Sequence, residues 1–314
     1  MSDKAIDVRV AAGVADRHRV GHTTGANVAI DVPRGPGVMR TTILLAGVTF
    51  REAARRKVLW IATLGGAAFL GLFWAGLHAM LKSMPPNMTA INRREGINMM
   101  IMMVLYAGSM MTSLMAALTS CDTLSGEIGS GTIHAIATKP VRRWCLVLGK
   151  WAGFVGMLTL YVLFVEGGSI GVGWLEGHYL PPHSATVLGL IWLQAILLLG
   201  VTMACSTRFS ALTSGALTLG LYGLAFVGGW IEQFGALRHV KTCVDLGIVS
   251  SLVMPSDALW RRAAFKIQPP LLGAAGVSPF SSTLVPSATM VVYAALYAIL
   301  GLIVAQILFE RRDL

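Results

Sequence analysis

Six runs of apolar residues, each about 20 residues or longer, leave this chain few ways to fold. They cover Val58 to Ala79, Gly96 to Thr119, Trp144 to Gly173, Ala185 to Cys205, Ala211 to Ile231 and Pro286 to Phe309. A helix rises 1.5 Å per residue, so each run is long enough to cross about 30 Å of hydrocarbon. None alternates polar and apolar residues as a barrel strand would, and in lipid a helix is then the way left to satisfy every backbone group. The expected fold is all-α, a polytopic membrane protein. Composition agrees: 13% of the 314 residues are charged, against about 25% in a soluble domain.

Residues 1–38 are polar, mixed in charge and interrupted by Gly and Pro, which predicts a disordered, dispensable tail ahead of a membrane domain at 39–314. Arg40, Arg51, Arg55, Arg56 and Lys57 crowd the entrance of the first run, and Lys139, Arg142 and Arg143 separate the second from the third. Arg208 separates the fourth from the fifth, and Arg311 and Arg312 follow the sixth. With six spans all of these share one side, which the positive-inside rule makes the cytoplasm. Both termini are then cytoplasmic, and the connection at about 232–285 is external although it holds Arg238, Lys241, Arg261, Arg262 and Lys266. In that connection Pro255-Ser256-Asp257 reads as a helix start, with Leu259, Trp260 and Ala263 toward lipid and Arg261, Arg262 and Lys266 at the headgroups. Ser256 is expected to be reachable from outside.

The net charge of +10 lies at span ends instead of forming a basic stripe with interleaved aromatics, so anionic lipid is the expected partner and nucleic acid is not. The four cysteines show no CxxC spacing, and neither a disulfide nor a metal site is expected.

Several motifs have a bland and a sharp reading. Gly167-Gly168-Ser169-Ile170-Gly171 matches a nucleophile elbow, but it lies inside an apolar run where small residues serve helix packing. Met99, Met100, Met102, Met103, Met110, Met111 and Met115 could line a Cu(I) path, yet they spread around the helix as gap-fillers do. Glu166 is an ionisable group within the third run, either on a substrate path or in a polar helix contact, placed in the outer half where interfacial water is within reach. Gln194 and Gln306 read as interhelical hydrogen-bonding residues. No G-x-x-x-x-G-K phosphate cradle occurs, so the chain is not expected to be an enzyme, and energised work would need a separate ATPase.

Two segments beside the spans carry more. Residues 41–57 contain Phe50-Arg51-Glu52-Ala53-Ala54-Arg55-Arg56-Lys57, either an amphipathic entrance helix with Phe50, Ala54 and Val58 toward lipid or an ordinary positive flank. Residues 120–143 contain Gly126-Glu127-Ile128-Gly129-Ser130-Gly131-Thr132, then Ile133 to Lys139, then Pro140-Val141-Arg142-Arg143. Gly129 and Gly131 permit a sharp bend, Thr132 is a good N-cap, and Pro140 disfavours helix at Lys139. A short helix with Ile133, Ile136 and Ala137 on one apolar side follows, suited to a cleft on a partner.

This string, with Gly149-Lys150 after it, resembles the first cytoplasmic loop of ABC-2-type transporter permeases. The entrance segment, the turn Ser206-Thr207-Arg208-Phe209-Ser210 and the terminus Phe309-Glu310-Arg311-Arg312-Asp313-Leu314 resemble that family as well, and the likeness runs from about residue 40 to the end. It implies an ABC-2, type V exporter-like permease fold in a cell (inner) membrane. It also implies a coupling helix seated on a separate ATPase that holds ATP and Mg²⁺, and pairing with a second permease chain, identical or different. The coupling residues would be Glu127, Gly131, Thr132, Ile133, Ile136, Lys139, Pro140 and Arg143, with Phe50, Arg51, Glu52, Arg55 and Arg56 in the entrance helix and Glu166 on a possible path. The alternative is an ATP-independent secondary transporter or channel, which should place several ionisable groups or broken helices at membrane depth.

Overall fold

The computed structural model describes residues 38–123, 126, 143–268 and 286–311. Among the described residues the chain is helical and has no strand. Helix α1 covers Val38–Arg55, α2 Lys57–Ser83 and α3 Ala90–Ser120. The third span is composite: α4 (Arg143–Val162), a π turn at Leu163–Gly167, and α5 (Gly168–Gly177). Then come α6 (Ser184–Ser206), α7 (Ala211–Leu237), α8 (Lys241–Val253), α9 (Ser256–Ile267) and α10 (Ala288–Glu310).

Among the described residues six helices are long and apolar enough to cross a membrane: α2, α3, Trp144–Gly177, α6, α7 and α10. All six expected runs are present, with ends moved by a few residues. The termini explain some of the movement: Thr89 caps α3 by accepting from Asn92 N, and Ser210 caps α7 by accepting from Thr213 N. The surface is that of a membrane protein, with Leu72, Leu212, Leu296 and Leu300 all exposed. The core centres on α6, where Leu197, Leu198 and Leu199 are fully buried.

Small residues set the closest helix contacts, as expected where lipid removes the hydrophobic drive between helices. Gly200 on α6 meets Ala298 O on α10, and Gly301 meets the Gly200 backbone. On α7 and α8, Gly228 faces Ser250, Gly235 faces Cys243 and Gly247 faces Glu232. Between α2 and α3 the notches are filled by thioether methyls: Met111 Cε at Gly65, Met100 Cε at Gly76 and Met84 Cε at Gly96. That is the gap-filling role of methionine.

The connection after the fifth span differs most from expectation. Glu232 belongs to α7, which runs on to Leu237. Helices α8 and α9 then meet at a bend of 107°. Helix α8 doubles back along α7, and α9 leaves the chain beside α3, where Asn98 Nδ2 donates to Ile267 O. Arg262 Nη1 donates to Pro286 O just ahead of α10. The pair thus enters and leaves at one end of the bundle, forming a re-entrant hairpin.

The headgroup reading of α9 is therefore corrected. The helix does start at Ser256, but Leu259, Trp260, Ala263 and Ile267 are buried, and so is Arg261, at 3% exposure. Ser256 is fully buried instead of reachable from outside. The hairpin is pinned on its far side by Tyr293 and Tyr297, whose hydroxyls donate to Leu252 O and Val253 O.

Candidate functional site

Glu166 is the one site residue within a span that the sequence singled out, and its surroundings are unlike those expected. It sits on the π turn and is fully buried. A π turn inserts an extra residue into the helical ladder and re-aims the side chains on it, which is why such turns gather at functional sites. Thr112 Oγ1 donates to Glu166 Oε1 at 3.3 Å. Opposite lies Gly108, where a Cβ would stand 2.6 Å from Glu166 Oε2. With glycine at this position of α3 the carboxyl fits without being displaced.

The same stretch of α3 continues as a polar seam. Gln194 Nε2 on α6 donates to Ser113 Oγ at 2.9 Å, and Ser113 Oγ donates to Ser109 O. The interhelical role expected of Gln194 is thus realised, while Gln306 is half-buried on α10. Ser169, the serine of the elbow-like string, is buried and donates to Val165 O at 2.7 Å. That bond stays within its own helix and gives Ser169 no acid–base partner.

A second buried polar group was missed by sequence reasoning. Arg261 on α9 lies between two carboxylates: Nη2 is 2.9 Å from Glu232 Oε2 on α7, and Nε is 2.9 Å from Asp257 Oδ2 one turn back. Arg261 Nη2 also donates to Ser251 Oγ on α8 at 3.1 Å. Glycines wall the acids in: a Cβ at Gly229 would collide with Asp257, and one at Gly247 with Glu232. Beside this group Trp260 packs against Tyr106 on α3 with ring centroids 5.1 Å apart, and Tyr106 packs on Phe226 of α7. The signal that could have found it is the pairing of Asp257 and Arg261 at i, i+4 on one helix face with Glu232 at the end of a span.

At the end of the bundle that carries α1, the entrance helix is present at Val38–Arg55, shifted from 41–57. Of the three residues expected toward lipid, Val58 is exposed, Ala54 is half-buried and Phe50 turns inward. Ala53 is buried, Phe50 packs toward Gly156, and the exposed apolar stripe is Met39, Ile43, Leu44 and Val48. The reason is α4, whose Gly149 and Gly153 receive Leu45, Ala46 and Thr49 so closely that a Cβ at Gly153 would lie 2.8 Å from Ala46 O. Arg51, Glu52 and Arg55 are exposed, and Arg56 pairs with Glu52 at 2.9 Å.

Of the residues expected to couple to an ATPase, Glu127, Gly131, Thr132, Ile133, Ile136, Lys139 and Pro140 lie outside the described residues, and Arg143 is the first residue of α4. The two ends of the loop are anchored. Asp122 reaches Arg56 Nη1 at 3.6 Å, and Lys150 Nζ donates to Thr123 O at 2.8 Å. A cation bonded to a carbonyl just past α3 suits the negative end of that helix.

At the opposite end Glu176 accepts from Trp74 Nε1 at 2.6 Å and meets His78 Nδ1 at 3.1 Å, joining α2 to α5. No three His, Cys, Asp or Glu side chains among the described residues gather in a way that could hold a metal ion. No family model matches the chain, and a search of curated proteins returned no match.

Proposed function

We propose that this chain is the membrane-spanning subunit of an ATP-binding-cassette exporter, energised by a separate cytoplasmic ATPase that docks on residues 127–143. The observation that carries the reading is the Gly126 to Lys150 string and the anchoring of its ends. Arg56 and Asp122 tie the loop to the α1–α2 junction, and Lys150 ties α4 to the end of α3. A push on the loop would therefore be passed to α1, α3 and α4 together. ATP and Mg²⁺ would be held by the ATPase, a second permease chain would complete the assembly, and both termini would be cytoplasmic in a cell membrane.

The test is Ile136→Asp, expressed with the ATPase encoded nearest its gene. A charge at that position would be desolvated without a partner on docking, at a cost on the order of several kcal/mol. Co-purification and transport are expected to be lost while membrane insertion is kept. Normal pairing and transport in the variant would overturn the reading.

A second reading, an ATP-independent secondary transporter, is favoured by the buried Glu166, the Glu232–Arg261–Asp257 group and the bent α8–α9 pair. Liposomes containing this chain alone would separate the two. Uptake driven by an imposed ion gradient, without any ATPase, supports the second reading over the first.

A further inference from the structure

Two carboxylates and one guanidinium, all buried, make a group whose full ionisation leaves one uncompensated negative charge inside an apolar bundle. Such a charge is costly in a low-dielectric interior, and a bound cation removes the cost. Glu232 Oε2 and Asp257 Oδ2 are sealed from solvent. A metal ion would need a cavity and a shell of oxygen ligands, but Gly229 and Gly247 are already in contact with the two acids, where even a Cβ has no room. A proton needs no cavity.

We propose that the Glu232–Arg261–Asp257 group is a proton-binding site: the two carboxylates share one proton while the α8–α9 hairpin is seated, and its release to water loosens the hairpin. The step is a proton transfer alone, from a carboxyl O–H to water, leaving a carboxylate and hydronium. Both acids touch one guanidinium. The other ionisable groups on the surrounding helices are Arg93, Arg94, Glu95 and Tyr106 on α3, Tyr222 on α7, and Arg262 and Lys266 on α9, of which Arg262 is engaged with Pro286 O. Helix α6 carries none except Cys205 near its end, α8 carries Lys241, Cys243 and Asp245, and α10 presents Tyr293 and Tyr297, both engaged with the hairpin backbone. The inference does not depend on which energy source drives the chain.

The experiment uses the full chain in lipid nanodiscs, in a Glu166→Gln background so that the other buried carboxyl is silent. Infrared spectra are recorded as pH is raised, reading the C=O stretch of protonated carboxyl groups. One such band that disappears with rising pH is expected, and it should be lost at all pH values on adding either Asp257→Asn or Glu232→Gln, because one acid against one arginine needs no proton. Persistence of the band in both variants, or no titrating band in the background, would overturn the proposal. Thermal unfolding gives a second reading of the same charge count. Asp257→Asn should leave the midpoint within a few degrees of the parent, whereas Asp257→Asn/Glu232→Gln, which strands Arg261, should lower it strongly. A large loss in the single variant comparable to that in the double would also overturn it.

Discussion

Two buried acidic regions in this molecule are built on opposite plans. Glu166 is a single carboxyl held by one threonine and a glycine notch between α3 and the composite third span. Glu232 and Asp257 instead share Arg261, a guanidinium delivered by a re-entrant helix. The first is a local device: one helix carries the acid, and its neighbour supplies a gap. The second is an assembled one, because its members come from α7 and α9 and meet only when the hairpin folds back into the bundle. A lone carboxyl can be neutral and tolerated, whereas an arginine, which does not give up its proton, must be paired.

That contrast predicts where damage is greatest. Arg261→Met leaves two buried acids with no base and should cost about 3–5 kcal/mol, the range for breaking a buried charge pair. Unfolding in detergent or nanodiscs measures it, and a loss no larger than that of Glu166→Gln would erase the distinction between the regions.

Next in size is Gly108→Ala. Its Cβ would press on Glu166 Oε2, and overpacking of this kind costs about 1–3 kcal/mol. Shortening the acid in Gly108→Ala/Glu166→Ala should recover most of the loss, a coupling that a double-mutant cycle reads directly. Simple addition of the two single effects would show that the notch does not serve the carboxyl.

Gly153→Val tests the same small-residue logic away from any charge. Crowding Ala46 and Thr49 should release α1 from α4 at a cost of about 1–3 kcal/mol. Faster amide exchange in α1 with the spans unchanged is the expected sign; unchanged exchange would mean that α1 is held by other contacts.

The smallest effect belongs to Thr112→Val, which removes one hydrogen bond to Glu166 and should cost about 0.5–1.5 kcal/mol. If the loss approaches that of Arg261→Met, Glu166 is held as a paired charge and the contrast fails.

The residues explain which parts of the molecule could be read in advance. Glu166 was legible because a charge inside an apolar run is conspicuous without any knowledge of its neighbours. Its burial was not, since that depends on Gly108 and Thr112 sitting opposite it on another helix. Phe50 was assigned to the lipid face of the entrance helix, and its packing toward Gly156 was not legible, for a related reason. An amphipathic pattern shows that two faces exist, but here both are apolar in part, and the glycines of α4 decide which one is covered.

The number and nature of the long helices follow from the sequence alone, because length and apolarity are local properties and, without the alternation of a barrel strand, lipid leaves the helix as the way to satisfy the backbone. Whether Asp257, Trp260 and Arg261 face headgroups or the core is a different kind of question. A 12-residue helix with that mixture of side chains is stable at an interface or inside a bundle. Only the tertiary structure chose between them, by bending α8 and α9 through 107° and placing Glu232 where the guanidinium needed a partner.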